Sequence, residues 1–84
     1  MFGCSRFVYI IRSVHDPARY YAGLTSNVTQ RLEIHNSGGS QHTRQNRPWR
    51  LVVSLEFATE SSAAAFEKYL KTGSGRAFAK RHFI

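Results

Sequence analysis

The segment Phe7–Arg12, which reads Phe-Val-Tyr-Ile-Ile-Arg, constrains the fold more than any other part of the chain. A strand with one solvated face alternates apolar and polar residues, but this segment places β-branched or aromatic side chains on both faces. It therefore predicts a central strand that is covered on two sides. A chain of 84 residues buries one modest core, so we expect a single domain over residues 1–84.

A second strand is predicted over Tyr20–Thr25, after a turn at His15-Asp16-Pro17. Proline fixes its own φ, and the Asp side chain can hydrogen-bond the backbone just beyond it, so the two strands should form a β-hairpin. Gly23 interrupts the second strand at a cost in packing. We expect that another group approaches the backbone closely at this glycine.

A helix is predicted over residues 27–37, because Ser26-Asn27 with Gln30 is a helix-start signature and Gly38-Gly39 is a strong stop. One face of this helix carries four residues at helical spacing: Val28, Arg31, Leu32 and His35. Arg31 and His35 therefore lie on or beside the stripe that packs on the sheet, where polar groups need partners.

A third strand follows a polar and basic loop that ends at Pro48. Alternate residues predict one continuous buried face, made by Trp49, Leu51, Val53, Leu55 and Phe57. Thr59 then caps a second helix, which buries Ala63, Phe66 and Leu70 and ends at Gly73. Ser74 is expected to cap a last helix over residues 75–82, with Ala77 and Phe78 inward.

The charge of the chain predicts a polyanionic partner, because twelve Lys and Arg against five Asp and Glu give a formal net charge of +7. The cations cluster in the loop after the first helix, where His42 and Trp49 could touch bases or sugars, and again after Glu67. A solvated basic face is the ordinary alternative. The expected nucleic-acid-binding residues are Thr43, Arg44, Arg47, Arg50, Lys68, Lys71 and Arg76.

The lone cysteine, Cys4, cannot form an internal disulfide, which favours a reducing compartment. The longest apolar runs are too short to span a bilayer, and the N-terminal residues carry no cleavage-site pattern. We therefore expect a cytoplasmic protein with no membrane partner.

Five residues have the chemistry that phosphodiester hydrolysis needs: Tyr9, Tyr21, Arg31, His35 and Glu67. The reaction requires a base for water, positive charge for the transition state and usually a metal ion. A free tyrosine has a pKa of about 10, so as a base it needs nearby positive charge or a neighbour that accepts its proton. Each residue also has an ordinary structural explanation. Composition and spacing alone leave a nuclease and a simple binder both open.

In order along the chain, these residues resemble the GIY-YIG endonuclease superfamily, and within it the small single-domain bacterial proteins. Phe7-Val8-Tyr9 stands for the first triplet and Tyr21-Ala22-Gly23 for the second. The likeness continues to about residue 71 through Arg31-Leu32, His35-Asn36-Ser37-Gly38, Thr43, Arg47-Pro48 and Ala65-Phe66-Glu67-Lys68. Single triplets carry little weight, whereas the ordered set is specific.

The resemblance implies an α+β fold, a three-stranded antiparallel sheet flanked by α-helices, in agreement with the pattern above. It also implies cleavage of DNA phosphodiester bonds that depends on Mg²⁺ or Mn²⁺. By the same resemblance, Tyr9 is the favoured general base and Tyr21 a second site tyrosine that touches water or phosphate. Arg31 stabilises charge, His35 helps the base and Glu67 binds the metal.

Two departures from the family pattern affect the expected activity. The first triplet lacks its glycine, and Leu24 stands where repair nucleases of the family place a lysine, so His35 should take over part of that role. We expect a DNA endonuclease of low sequence specificity, with RNA left open as a substrate. The alternatives are a non-catalytic nucleic-acid-binding module or partner subunit of the same fold, and a structural protein that binds another protein. The oligomeric state is left open.

Overall fold

A computed structural model describes residues 5–84, so Cys4 and the disulfide argument lie outside the described residues. The elements are β1 (Phe7–Ser13), β2 (Tyr20–Thr25), α1 (Val28–Ser37), a 3-10 turn (Arg44–Asn46), β3 (Trp49–Glu56), α2 (Glu60–Leu70) and α3 (Gly73–His82). Within residues 5–84, each helix is too short or too polar to cross a membrane.

The three strands form one antiparallel sheet in the order β2-β1-β3, which confirms the α+β class and the central position of β1. Four consecutive side chains of β1, from Val8 to Ile11, are at most 1% exposed. Because successive side chains point to opposite faces of a sheet, β1 is buried on both sides as its sequence predicts.

The two faces of the sheet carry different cores. The face covered by α2 and α3 is apolar and is built from Val8, Ile10, Ala22, Ala63, Leu70 and Ala79. The face covered by α1 holds Tyr9, Ile11 and Trp49, with Val28 and Leu32 of the helix packed against them. The candidate residues of β1 and α1 therefore meet on the α1 face.

The prediction of one continuous buried face along β3 is wrong, because the strand contains a β-bulge. Ile10 pairs with Val53, but the next residue, Ile11, pairs with Leu51, so one residue of β3 is left without a partner. A shift of one residue turns the following side chains to the opposite face of the sheet. Trp49 thereby joins the α1 face, whereas Val53 packs with the apolar core of the other face.

The ends of α1 follow the predicted signals. The Asn27 side chain accepts a hydrogen bond from the backbone N–H of Gln30 at 3.0 Å, and Gly38 ends the helix with a φ of 86°. That left-handed conformation is one that glycine adopts without steric cost. The two caps fix where α1 begins and ends, and His35 falls in its last turn.

The second helix is capped by Thr59 and buries Ala63 and Leu70, as predicted, but it ends at Leu70 rather than at Gly73. The predicted start of the last helix is wrong, because Thr72, rather than Ser74, accepts the hydrogen bond from the N–H of Gly75, at 3.1 Å. The helix therefore begins at Gly73. Its inward small residue is Ala79, which is 1% exposed, and not Ala77.

Gly23 lies directly opposite Tyr9 in the β1–β2 ladder, and the expected close approach is confirmed. A Cβ atom built on Gly23 would lie 2.6 Å from Cζ of the Tyr9 ring. No side chain fits at that distance unless the buried ring moves. The glycine of the second triplet therefore provides the space that the Tyr9 ring occupies.

We expect Gly23→Ala to lower the free energy of unfolding by about 1–3 kcal/mol, because the added methyl group displaces the Tyr9 ring. Gly73→Ala is the matched control, since a Cβ at Gly73 meets no atom within 4 Å. That variant should be neutral, or more stable by up to about 1 kcal/mol. Urea denaturation measures both, and equal transition midpoints would contradict the packing argument.

Candidate active site

Tyr9 and His35 form a buried hydrogen bond between β1 and α1. The Tyr9 hydroxyl oxygen lies 2.7 Å from Nε2 of His35, and the two residues are 1% and 0% exposed. Burial of a hydroxyl or an imidazole is costly unless its polar atoms have partners, and this contact satisfies one atom of each residue. The hydroxyl of Tyr9 therefore faces the imidazole rather than bulk solvent.

Thr43 completes the hydrogen bonding of the imidazole. Its Oγ1 lies 2.7 Å from Nδ1 of His35, and the residue is 0% exposed. The prediction that Thr43 contacts nucleic acid is therefore wrong, because its hydroxyl is enclosed against the imidazole of His35. Thr43 instead holds the ring of His35 in place.

Trp49 and Asn36 fix the loop that carries Thr43. The indole N–H of Trp49 donates to the carbonyl oxygen of Thr43 at 2.8 Å. The Asn36 amide binds both backbone groups of Trp49, accepting from its N–H at 2.6 Å and donating to its carbonyl at 3.1 Å. Trp49 is 5% exposed but also lines the cleft described below, so its suggested contact with bases stays a prediction. Sequence reasoning missed this support, although Asn36 and Thr43 both belong to the ordered set that carried the resemblance.

Arg31, Tyr21 and Glu67 all lie within electrostatic reach of Tyr9. Burial raises the pKa of Tyr9 above its ordinary value, and the neighbouring Arg31 guanidinium opposes that rise. Tyr21 and Glu67 add smaller upward shifts to the same pKa, because negative charge on either disfavours a phenolate. His35 contacts Tyr9 directly, and the charges of Arg31 and Glu67 act on the same phenol, so the common site of all five residues stays a prediction.

The imidazole of His35 is held in its neutral form. Burial lowers its pKa from the ordinary value of 6.5, and the positive charge of Arg31 lowers it further. A neutral imidazole has one nitrogen that accepts a proton, whereas an imidazolium has none. His35 is therefore in the form required of a group that takes a proton from Tyr9.

Tyr21 is the site tyrosine that reaches an open cleft. Its ring centroid lies 5.2 Å from that of His35 and 6.5 Å from that of Tyr9. It also lines a cleft of about 700 Å³ beside the edge strand β2. The other four predicted site residues are not part of the lining of this cleft.

Glu67 reaches the site from α2. Its side chain is 21% exposed and its Oε2 lies 2.8 Å from Nζ of Lys71. Among the described residues, no group of three or more His, Cys, Asp or Glu side chains is placed to hold a metal ion. A single carboxylate still fits Mg²⁺ or Mn²⁺, because Mg²⁺ commonly takes one or two carboxylates together with waters and phosphate oxygens.

The predicted basic residues divide into two groups. Lys71 and Arg76 line the cleft together with three further basic residues, Arg19, His42 and Lys80. The others are exposed outside the lining: Arg44, Arg47, Arg50 and Lys68. Sequence reasoning missed Arg19, which follows the β1–β2 turn and reaches the cleft only because β2 is an edge strand.

The family model of the GIY-YIG catalytic domain matches residues 5–81. The chain belongs to the GIY-YIG family. Its site residues on β1, β2 and α1 fall within the matched range, as does Glu67 on α2.

Curated relatives of this GIY-YIG domain include large and small proteins. It is 37% identical over 65 residues to the structure-specific endonuclease subunit slx1 of Talaromyces marneffei, covering 70% of the chain and 17% of that protein. It is 42% identical over 53 residues to a UPF0213 protein of Streptococcus pneumoniae, covering 62% of the chain and 54% of that protein. The chain thus spans from a sixth to about half of these relatives.

A solved structure shares the fold. The solution NMR structure of a UPF0213 protein from Bacillus halodurans superposes with a TM-score of 0.54 at 31% identity, covering 90% of this chain and 80% of that one. The GIY-YIG domain therefore has the architecture of a small bacterial relative.

We expect Thr43→Val to lower the free energy of unfolding by about 1–3 kcal/mol, because it leaves Nδ1 of His35 buried without a partner. The affinity for DNA should stay unchanged, since Thr43 is enclosed. Thr29→Val, at an exposed position of α1, is the matched control for stability. Thermal unfolding and a fluorescence binding titration measure the two effects. If Thr43→Val lost DNA affinity but kept its stability, Thr43 would have to contact the DNA directly after all.

The lowered pKa of His35 predicts that the domain loses stability as the pH falls. Below about pH 6.5 the unfolded chain takes up a proton on this residue, while the folded state resists it, so acid favours unfolding. We expect the melting temperature to fall between pH 7 and pH 5, and less steeply in His35→Gln. His15→Gln is the control, because His15 is exposed and its removal should keep the wild-type slope. Parallel slopes for all three proteins would refute a buried neutral His35.

Proposed function

We propose that this GIY-YIG domain is a divalent-metal-dependent endonuclease that hydrolyses DNA phosphodiester bonds with low sequence specificity. The observation that carries the proposal is the 2.7 Å bond between Tyr9 and a buried His35, with Arg31, Tyr21 and Glu67 in reach of the same phenol. A packing role alone does not require two phenols, a guanidinium, an imidazole and a carboxylate at one point.

Tyr9 and His35 act together as the general base in this proposal. The Tyr9 hydroxyl contacts Nε2 of His35 and the Thr43 hydroxyl contacts Nδ1. Each hydroxyl can donate or accept, and the proposal takes the tautomer with the N–H at Nδ1, so that Nε2 accepts from Tyr9. As water attacks phosphorus, its proton passes to the Tyr9 oxygen while the phenol proton moves to Nε2. Because Tyr9 is 1% exposed, bound DNA has to bring the water to it from the side of Tyr21.

Arg31 and Tyr21 act on the phosphate. The Arg31 guanidinium favours a phenolate on Tyr9 and stabilises the negative charge of the transition state. Tyr21 lines the cleft, and in this proposal its hydroxyl hydrogen-bonds a phosphate oxygen. Glu67 is the residue that would hold the divalent ion, which supplies Lewis acidity and stabilises the leaving oxygen when bound.

The cations of the cleft would bind the sugar-phosphate backbone. Lys71, Arg76, Lys80 and Arg19 line it, and contacts with phosphates position a nucleic acid without reading its sequence. Low sequence specificity follows from this. The slx1 relatives are named structure-specific, which makes branched DNA the first substrate to compare with linear duplex and RNA. A cytoplasmic location is part of the proposal and rests on the lone cysteine of the sequence.

Nicking of supercoiled plasmid tests the proposal directly. We expect nicking with Mg²⁺ or Mn²⁺, none in excess EDTA, and a loss of at least about 100-fold in Tyr9→Phe and Glu67→Ala. Tyr69→Phe and Glu33→Ala are matched controls, since both residues are exposed and lie outside the site. If purified wild-type protein cuts neither DNA nor RNA with any divalent ion, the nuclease proposal fails.

The second candidate is a non-catalytic nucleic-acid-binding module or partner subunit. The enclosure of Tyr9 favours it, because a phenol without access to water is not by itself a base. Under this candidate, the affinity for nucleic acid falls steeply with salt, and Glu67→Ala leaves that affinity unchanged. Neither the wild type nor any variant cleaves DNA. The plasmid assay and a salt titration together separate the two functions.

A further inference from the structure

Lys71 contacts two residues of the proposed site at once. Its Nζ lies 2.8 Å from Oε2 of Glu67 and 5.3 Å from the ring centroid of Tyr21. It also lines the cleft beside Tyr21. This lysine therefore lies where the proposed metal ligand, the second tyrosine and the cleft meet.

Lys71 and Glu67 are four residues apart, as in an ordinary ion pair along a helix, but their surroundings differ from a solvent-exposed helix surface. Glu followed by Lys four residues later on a free helix surface contributes little to stability. Here the carboxylate is 21% exposed, and the ammonium also lies over an aromatic ring. The tyrosine thus helps to hold the lysine against the carboxylate.

Lys71 is the cation that neutralises Glu67 among residues 5–84. The other ion pairs in this range join Arg6 to Glu56 and, in the cleft lining, Arg19 to Asp16, and neither involves Glu67. A divalent ion that binds Glu67 must therefore compete with the Lys71 ammonium for the same carboxylate. Two cations within a few ångströms repel each other, and the repulsion is greater where the groups are partly buried.

We propose that Lys71 is a positioning residue that holds the Glu67 carboxylate in the metal-free site and is displaced when the divalent ion binds. The inference rests on the proposed function, since it takes Glu67 as the metal ligand. Removing the lysine charge should then strengthen metal binding, although it weakens the positive charge of the cleft. Ordinary surface ion pairing predicts no such gain.

Mn²⁺ binding measured by electron paramagnetic resonance, without DNA, tests this inference independently of cleavage. We expect Lys71→Gln to lower the dissociation constant for Mn²⁺ by about 3- to 10-fold, and Lys71→Arg to keep it within about 2-fold of wild type. Arg81→Gln controls for the loss of one positive charge, because Arg81 is exposed on α3 and lies outside the cleft. It should shift the constant by less than about 2-fold.

Glu67→Ala separates the failure of this inference from the failure of the proposed function. If Mn²⁺ binding requires Glu67 but is equal or weaker in Lys71→Gln, the role of Lys71 is refuted and the proposed metal ligand stands. A gain as large in Arg81→Gln as in Lys71→Gln also refutes it, since net charge would explain both. If wild type and Glu67→Ala bind Mn²⁺ equally or not at all, the role of Lys71 is refuted, while the plasmid assay still decides the proposed function.

Discussion

The hydrogen bonds from Tyr9 through His35 to Thr43 are the interaction on which the rest of the site depends. They join β1, α1 and the loop before β3, which are three separate parts of the chain. Each of these side chains is at most 1% exposed, so each polar atom needs a partner inside the protein. No buried side-chain nitrogen or oxygen in residues 5–84 is left unpaired. The α1 face therefore tolerates a polar interior because its hydrogen bonding is complete.

The two faces of the sheet divide stability and chemistry between them. The apolar residues against α2 and α3 supply the hydrophobic burial that a small domain needs. The opposite face can then hold an imidazole and a phenol, which contribute less to stability than aliphatic side chains of the same volume. Gly23 makes room for this polar face, because its missing side chain lets the Tyr9 ring lie against β2.

One guanidinium has opposite effects on the two groups of the proposed base. Arg31 favours the charged form of Tyr9, an anion, and disfavours the charged form of His35, a cation. The first effect favours loss of the phenol proton, whereas the second makes the imidazole a weaker acceptor for it. On the other side of Tyr21, Lys71 neutralises the one carboxylate of the five site residues. The two cations come from different parts of the chain, Arg31 from α1 and Lys71 from the C-terminal cap of α2.

Local signals in the sequence determined the strands, the caps of α1 and α2, the central position of β1 and the need for space at Gly23. These features depend on residues a few positions apart, through side-chain alternation, helix period and backbone capping. The tertiary structure decided which face Trp49 occupies, whether Thr43 is exposed, and that Arg19 reaches the cleft. The bulge in β3 depends on pairing with β1, and the Tyr9–His35 bond joins residues 26 positions apart. Such contacts form only when the chain folds back on itself, so no local pattern encodes them.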